Sequence, residues 1–408
     1  MDIRIDLGRL KEDILELSQI GRDPNGGISR PSLSTADLKA REWLKDRIQN
    51  AGLAVREDGA GNIFGQLSGQ GRTIMTGSHL DTVIQGGMFD GSVGVLSALE
   101  CIRQIKENSL PVTRPLEVVS FTDEEGNLVG DFLGSRAFLG LVTREKLEKG
   151  RTQFGTPLSK ILEGTGLSID SILEAHKERP EIDAFLELHI EQGTQLETEN
   201  KPVGIVDSIA GKRDWLCSFS GRPSHAGTTP LELRQDALLG LADFSLKGTQ
   251  NVATHHYGSM VTVGKIQVYP GTFSTIPGRV DFTLDFRSLS EKTLGELEIY
   301  FASLAQDIAS TRGLGFASEV VDHTNPVELS PRITSAMRQE CENLGYPFMM
   351  LSSGAGHDAQ IMAGSFDAGM IFIPCDDGIS HSPEEKIRWE DLEKGANLLL
   401  HTLLRLAR

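Results

Sequence analysis

The sequence Gly77-Ser78-His79-Leu80-Asp81 follows a short apolar run, and two further polar motifs repeat this arrangement downstream. They are Phe89-Asp90-Gly91-Ser92 and Asp123-Glu124-Glu125-Gly126, the latter directly after the apolar run Leu116–Phe121. In an α/β sheet, loops that leave the carboxyl ends of strands form the binding sites. Imidazoles and carboxylates gathered there can hold two divalent metal ions and leave one carboxylate to move a proton. The motifs therefore predict a metal-dependent hydrolytic site on an α/β sheet.

Patterns of helices and strands alternate around these motifs, as they do in α/β domains. Apolar spacing predicts helices at 5–20, 34–52 and 91–106, with Ser34 as the N-cap of the second. The runs 63–67 and 72–77 are expected to be strands that pair with each other, and 116–121 is expected to be the next strand.

The pattern changes at about residue 211 and changes back at about residue 326. A strand at 215–219, a helix at 232–247, strands at 260–268 and 279–287 and a helix at 292–312 predict a small α+β unit. A helix at 332–344 and a strand at 370–374 then return to the α/β pattern. We therefore expect one α/β domain formed by 1–210 and 326–408, interrupted by a smaller domain at 211–325.

Composition narrows the class of protein. Of the 408 residues, 39% are hydrophobic and 24% are charged, which is typical of a globular protein, and the length favours two domains. A net charge of −17 argues against nucleic-acid binding, and no apolar run approaches the roughly 18 residues that a membrane span needs. The chain start lacks a secretory signal pattern, and the four cysteines are scattered, so we expect a cytoplasmic protein with reduced thiols.

The candidate metal ligands share one feature, which is that each lies in a loop expected to follow a strand. They are His79, Asp90, Glu125, His189 and His381. Asp90 could bridge two ions, Asp81 could orient the imidazole of His79, and of the adjacent Glu124 and Glu125 one could ligate while the other acts as a base. Zinc, cobalt and manganese all suit such ligands. Glu191 is equally compatible with a supporting and with a surface role, and His176, His255, His256, His323 and His401 are expected to be structural.

Seven motifs, in this order, resemble those of the hydantoinase/carbamoylase amidases, which belong to the di-zinc aminopeptidase and carboxypeptidase superfamily. They are His-x-Asp, Asp-Gly, Asp-Glu-Glu-Gly, His-Ile-Glu-Gln-Gly, His-Ala-Gly-Thr-Thr-Pro, Ser-Gly-Ala-Gly-His-Asp-Ala and Gly-Ile-Ser-His-Ser-Pro. The resemblance covers essentially the whole chain. It implies a di-zinc peptidase-like α/β domain with a mixed central sheet, and an inserted α+β sandwich that acts as a lid and forms a homodimer.

The resemblance also implies a role for each matching residue. The five ligand candidates would hold two zinc ions per subunit, or manganese or cobalt, with Asp90 bridging and Glu124 as the general base. Gln192 would contact the carbamoyl group, and Arg287 would bind the carboxylate of the substrate. His225 would reach the active site of the neighbouring subunit and polarise the scissile carbonyl. Gly356 and His357 would line the pocket.

One position departs from the family pattern. Ser274 stands where the family usually has an asparagine, so either serine or a water molecule fills the same role, or the substrate specificity differs. The first functional hypothesis is an amidohydrolase that cleaves N-carbamoyl-L-amino acids, small molecules carrying a carboxylate. The rival hypotheses are an allantoate amidohydrolase, an N-acyl amino acid hydrolase or dipeptidase, and a non-catalytic binding protein on the same scaffold. The last is disfavoured because no ligand or base position is substituted.

Overall fold

The computed structural model describes residues 3–24, 26–152 and 154–408. The chain forms two compact units. The large unit contains residues up to Asp207 together with Glu328–Arg408, and the inserted unit is Ser208–Val327.

Helices and strands are numbered separately along the chain. The helices are α1 (Leu7–Leu17), α2 (Thr35–Asn50), α3 (Ser92–Glu107), α4 (Leu133–Phe138), α5 (Arg144–Lys149), α6 (Leu158–Leu162), α7 (Ile169–Glu174), α8 (Gln195–Thr198), α9 (Ala237–His255), α10 (Glu291–Arg312), α11 (Pro331–Leu344), α12 (Asp358–Ala363) and α13 (Trp389–Leu406). The strands are β1 (Ala54–Glu57), β2 (Ile63–Leu67), β3 (Thr73–His79), β4 (Leu116–Phe121), β5 (Ile182–Ile190), β6 (Val203–Ile209), β7 (Gly211–Ser220), β8 (Met260–Tyr269), β9 (Arg279–Ser288), β10 (Gly315–Thr324), β11 (Val327–Glu328), β12 (Phe348–Ser353) and β13 (Asp367–Ile373). Short 3₁₀ helices lie at Ala175–Glu178, Leu231–Leu233 and Asp376–Gly378.

The sheet of the large unit is mixed, as expected, with the strand order β1-β2-β4-β3-β5-β13-β6-β11 and β12 paired to β6. Strands β4, β3, β5 and β13 run parallel to their neighbours within this group, whereas β1, β2 and β6 pair antiparallel. His79 pairs with Phe121 and His189 with Phe372, so the carboxyl ends of these strands lie at one edge of the sheet.

The expectation that β2 and β3 pair with each other is wrong. β4 lies between them, antiparallel to β2 and parallel to β3. Every residue of β3 is buried, and a strand buried on both faces belongs in the centre of a sheet that helices cover. The glycine-containing link between β2 and β3 therefore passes the start of β4 and is not a hairpin turn.

Helix α3 fills the core that supports the edge of the sheet where the motifs lie. It packs against β3 and β5 on one side and against α1 and α13 on the other. Its apolar residues, including Val95, Leu99 and Ile102, are fully buried. Ser34 caps α2 as predicted, because its side chain accepts a hydrogen bond from the Asp37 amide.

The inserted unit is a four-stranded antiparallel sheet, in the order β10-β7-β9-β8, with α9 and α10 packed against it. Alternate residues of β9 are buried and contribute Phe282, Leu284 and Phe286 to this separate core. The helix expected at 232–247 instead spans α9, because Asp236 is the residue whose side chain caps it. β10 was not predicted, because this edge strand is exposed at most positions and lacks a clear alternation.

No helix in the described part of the chain is both long enough and apolar enough to cross a lipid bilayer.

Candidate metal centre

The large unit brings the five candidate ligands together in two groups that share Asp90. One group is His79, Asp90 and His189, and the other is Asp90, Glu125 and His381; within each, the ligand atoms lie within 4.8 Å of one another. Asp90 Oδ1 lies 3.5 Å from His79 Nε2 and 3.2 Å from His189 Nε2. Asp90 Oδ2 lies 3.3 Å from His381 Nε2. The two oxygens of one carboxylate thus face two different groups, which is the arrangement that a bridging ligand requires.

Backbone carbonyls orient both buried imidazoles. Nδ1 of His79 lies 3.0 Å from the Asp81 carbonyl oxygen, and Nδ1 of His189 lies 3.0 Å from that of Ile190. A carbonyl can only accept, so each Nδ1 carries the hydrogen when the ring is neutral, and Nε2 presents its lone pair. His79 Nε2 is buried and has no hydrogen-bond partner. An orphaned imidazole nitrogen facing a carboxylate fits a metal ion.

Asp81 supports this site differently from what the sequence suggested. Its carboxylate lies 3.9 Å from His79 Nδ1, so its own carbonyl, and not its side chain, holds the imidazole. The carboxylate instead accepts hydrogen bonds from the backbone amides of Glu124 (3.4 Å) and Glu125 (3.3 Å). Asp81 therefore links the histidine motif to the acidic motif.

Position 91 requires a glycine because the imidazole of His79 lies very close to its backbone. Gly91 has φ 62°, and a Cβ there would lie 2.5 Å from His79 Nε2. Its amide donates a hydrogen bond to His189 Nε2 at 3.2 Å, a bond that a metal ion would replace when it takes that lone pair. The backbone can enter the space between the two rings only because it carries no side chain there.

The two adjacent glutamates point to different partners. Glu125 Oε2 lies 3.4 Å from His381 Nε2, whereas Glu124 Oε2 lies 3.6 Å from His79 Nε2. Asp123, at φ 58°, stabilises this turn by accepting hydrogen bonds from the amides of Asn127 (2.9 Å) and Leu128 (3.0 Å). The loop thus carries one carboxylate towards each of the two groups.

The pKa values of the site residues are shifted because several carboxyl groups lie close together in a buried volume. Burial raises the pKa of Glu124 well above its usual value, and burial together with the charge of Asp90 raises the pKa of Glu125 to about 8. The hydrogen bond to Asp90 raises the pKa of His381 to about 9. Burial works against ionisation of Asp90, yet the histidines around it, His189 foremost, hold its pKa well below the usual value. Divalent cations would compensate this excess of carboxylates, so the donor set fits metal binding.

Gln192 and His357, two residues expected to contact substrate, lie beside the candidate ligands. Gln192, at φ 55°, donates from Nε2 to Asp90 Oδ2 at 2.8 Å, while its Oε1 is buried and has no hydrogen-bond partner. The ring of His357 lies 4.7 Å, centroid to centroid, from that of His189, and its Nε2 lies 3.0 Å from Ser353 Oγ. Gly356 packs closely against Phe132, since a Cβ there would lie 2.6 Å from Phe132 Cζ.

The other three expected site residues belong to the inserted unit. His225 and Ser274 lie on adjacent loops, joined by a hydrogen bond of 2.9 Å from the Ala226 amide to the Ser274 carbonyl, and both are exposed. Arg287 lies on β9, where its guanidinium binds the carboxylate of Asp285, with Nη2 2.9 Å from Oδ2.

The structure also identifies polar residues that sequence reasoning missed. Glu385 is buried next to Asp90, and Glu187 is buried beneath His189, accepting a hydrogen bond from Ser78 Oγ at 2.6 Å. Glu187 could have been found, because residues two apart on a strand share a face. Glu191, for which the sequence is compatible with either role, is buried and accepts hydrogen bonds from the amides at the start of α8.

Comparison with known proteins shows the family of this chain. The family model described as Peptidase family M20/M25/M40 matches residues 75–405. The chain belongs to this family. It is 37% identical over 404 residues to an N-carbamoyl-L-amino acid amidohydrolase from Geobacillus stearothermophilus, covering 98% of each chain. It is 33% identical over 395 residues to an allantoate amidohydrolase from Bacillus subtilis, covering 96% of this chain and 95% of the relative.

Solved structures place the chain in the same branch of the family. An amidase of the hydantoinase/carbamoylase family from Burkholderia multivorans superposes with a TM-score of 0.87 at 35% identity, covering 100% of this chain and 99% of that one. These matches confirm the resemblance and the fold class inferred from the motifs, and they confirm that the chain is a hydrolase.

Proposed function

We propose that this family member is a two-metal amidohydrolase that cleaves the ureido C–N bond of N-carbamoyl-L-amino acids. The observation that carries the proposal is the pair of ligand groups that share Asp90, one carboxylate oxygen facing each group. His79, Asp90 and His189 would hold the first ion, and Asp90, Glu125 and His381 the second. Zinc is the metal we favour for imidazole and carboxylate ligands, and manganese or cobalt would also fit.

Bound metal ions would polarise the scissile carbonyl and make water a stronger nucleophile near neutral pH. Glu124 would accept the proton of the attacking water and pass it to the departing nitrogen. Its carboxylate faces His79 at 3.6 Å, and burial raises its pKa well above the usual value for glutamate. A carboxylate beside the attacking water can both take and return a proton during one cycle. The products would be the amino acid, carbon dioxide and ammonia.

Gln192 is suited to bind the ureido group. Its Nε2 is engaged by Asp90, which fixes the side chain and leaves the buried Oε1 without a hydrogen-bond partner. An amide oxygen held in this way would accept a hydrogen bond from the terminal NH₂ of a ureido group. His357, beside the ligands, and Gly356 would line the same pocket.

The inserted unit would complete the site through a homodimer. Its exposed loop carries His225 and Ser274, and we propose that His225 donates a hydrogen bond to the carbonyl oxygen of a substrate bound in the neighbouring subunit. Arg287 would bind the substrate carboxylate. Its guanidinium pairs with the carboxylate of Asp285, so a substrate carboxylate would share the guanidinium with Asp285 or displace it.

Allantoate is the second candidate substrate. The 33% identity to an allantoate amidohydrolase favours it, and Ser274 alters the position at which the family usually carries an asparagine. Both substrates carry ureido groups and a carboxylate, so the same catalytic residues could act on either.

A hydrolysis screen tests the proposal. The zinc-loaded protein would be given N-carbamoyl-L-amino acids, their D-enantiomers, allantoate, N-acetyl-amino acids and dipeptides, and ammonia and amino acid release would be measured. We expect release from the N-carbamoyl-L-amino acids above that of the Glu124→Gln variant, which controls for contaminating enzymes. Turnover of allantoate alone would select the second candidate, and turnover of only dipeptides or acyl-amino acids would overturn the proposal.

A further inference from the structure

Glu385 is a buried carboxylate beside the candidate ligands that has no role in the proposed reaction. Only 3% of the surface of Glu385 is exposed to solvent. Oε1 accepts hydrogen bonds from the backbone amides of Phe89 (2.7 Å) and Asp90 (3.2 Å), and Oε2 lies 3.2 Å from Ser380 Oγ. One side chain thus joins the loop that carries Asp90 to the loop that carries His381.

Ser380 provides a second connection between these loops. Its hydroxyl lies 2.8 Å from Asp90 Oδ2, and Nε2 of Gln192 lies 2.8 Å from the same oxygen. A hydroxyl has a single hydrogen, and the shorter distance assigns it to Asp90 and not to Glu385. The backbone of Asp90 is therefore held by Glu385, and its carboxylate is held by Ser380 and Gln192.

Gly87 shows independently that the site is shaped around Glu385. A Cβ at position 87 would lie 2.1 Å from Glu385 Oε1 and 2.2 Å from its Cδ. Such distances are far inside van der Waals contact, so a glycine here leaves the volume that the carboxylate occupies. The φ of Gly87 is not in the left-handed region, and space alone explains the residue.

The ligand groups differ in their dependence on these contacts. His79 is the last residue of β3 and His189 the last but one of β5, and backbone carbonyls fix their rings. His381 lies in a loop at φ 54°, with its side chain 49% exposed. The contacts of Ser380 and Glu385 join this loop to Asp90.

We propose that Glu385 is a positioning residue for the second metal ion, which it serves by holding Asp90 against the loop of His381. The inference rests on the proposed two-metal function. It makes the second group, formed by Asp90, Glu125 and His381, selectively sensitive to Glu385, because the ligands unique to the first group are fixed by other contacts.

Zinc titration of the Glu385→Ala variant against a chromophoric chelator tests the proposal. We expect the first ion to bind as in the unaltered protein and the second to bind roughly 10–100-fold more weakly, the range typical for loss of a residue that orients ligands. Glu385→Gln retains an oxygen for the two amides and can donate from its NH₂ to Ser380, so it should keep the second affinity within about threefold. Glu384→Ala removes an exposed neighbouring carboxylate and is the matched control.

A second variant reaches the same contact from the other side. Gly87→Ala should displace Glu385 and weaken the second ion to a similar degree. Combined with Glu385→Ala, it should add less loss than it causes alone, because the added methyl then no longer meets the carboxylate and keeps only its close approach to the Cβ of residue 385, at 2.5 Å. This double-mutant cycle separates positioning from a general loss of fold, which circular dichroism of the metal-free variants would report.

Three results would overturn the proposal. They are unchanged binding of the second ion to Glu385→Ala, equal weakening of both ions in that variant, and a Glu385→Gln variant as defective as Glu385→Ala. If Glu385→Ala does not fold, the Gly87→Ala and Glu385→Gln titrations decide. An unaltered protein that binds fewer than two ions would contradict the proposed function itself, and the unaltered titration shows this separately.

Discussion

The metal-ligand groups of the large unit and the His225 loop of the inserted unit differ in how far the fold prepares them. His79 and His189 are each 1% exposed, and backbone carbonyls fix both rings. His225 is exposed, and its Nδ1 accepts a hydrogen bond from the Gly227 amide at 3.1 Å. Candidate ligands whose rings the fold already fixes could take a metal ion without rearrangement, whereas an exposed histidine on a loop would need a further surface before it could contact a substrate.

The largest expected effect on catalysis comes from Glu124, beside the candidate metal ligands of the large unit. Glu124→Gln should lower kcat by about 10³-fold, because an amide cannot accept the proton of the attacking water. Metal analysis should still find the ions that the unaltered protein binds, because Glu124 belongs to neither of the groups built on Asp90. Glu125→Gln is the matched control and should instead weaken the second ion. Loss of metal from Glu124→Gln would make Glu124 a ligand and contradict its role as base.

The next largest effect on catalysis should come from His225, in the exposed loop of the inserted unit. His225→Ala should lower kcat by about 100-fold, the usual consequence of losing a hydrogen bond to a developing oxyanion, and leave metal content unchanged. When this variant is mixed in equal amounts with Glu124→Gln and the subunits exchange, about a quarter of the activity of the unaltered protein should return. Half of the dimers would then be mixed, and each of these would contain one intact site of two. Failure to recover despite demonstrated exchange would mean that His225 does not act across subunits.

Removal of metal should affect the stability of the large unit but not that of the inserted unit. Chelation should lower the free energy of unfolding of the large unit by about 3–4 kcal/mol if metal was present at 100 to 1,000 times its dissociation constant. Amide hydrogen exchange should then rise in the loops of Asp90 and His381. Exchange in β7 and β9, which belong to a separate core, should stay the same. A uniform rise over both units would argue that the inserted unit depends on the metal centre.

The smallest expected effect concerns helix caps. Asp236→Ala removes the carboxylate that caps α9 and should cost about 1 kcal/mol in the unfolding of the inserted unit. Ser34→Ala, the matched change at the start of α2, should cost a similar amount in the large unit. Neither should alter zinc affinity, and urea unfolding with a parallel zinc titration measures both quantities. A cap variant that weakens zinc binding would show that stability and site geometry are not separable.

The sequence predicted elements whose signals are local. β2 and β4 have the expected bounds, α2 begins at its predicted cap, and the His79 and Glu124 motifs lie at strand ends. The Asp90 motif was also expected at a strand end, but it lies at the start of α3. Strand order was not predictable, because the placement of β4 between β2 and β3 depends on pairing between distant segments. The start of α9 was misplaced because a proline and a short 3₁₀ turn precede the residue that caps it.

The same distinction applies to the site. Histidine and acidic motifs can be recognised from their own residues. The structure places five residues of these motifs in two groups of candidate ligands. The contacts of Glu385 join positions almost 300 residues apart in the chain, with no periodicity to indicate them. The sequence suggests a role for the side chain of Asp81, but the contact that holds His79 comes from the backbone carbonyl of Asp81, which any residue type carries.

The position of β13 in the sheet has a consequence for how the protein is made. β13 lies between β5 and β6, yet it follows both of them, and the whole inserted unit, in the chain. During synthesis from the N-terminus, the inserted unit is complete and can fold while the central sheet still lacks a middle strand. Until Ile373 has left the ribosome, β5 and β6 expose edges of the kind that pair with other chains. The central sheet is therefore completed only late in translation, after most of the residues have been joined.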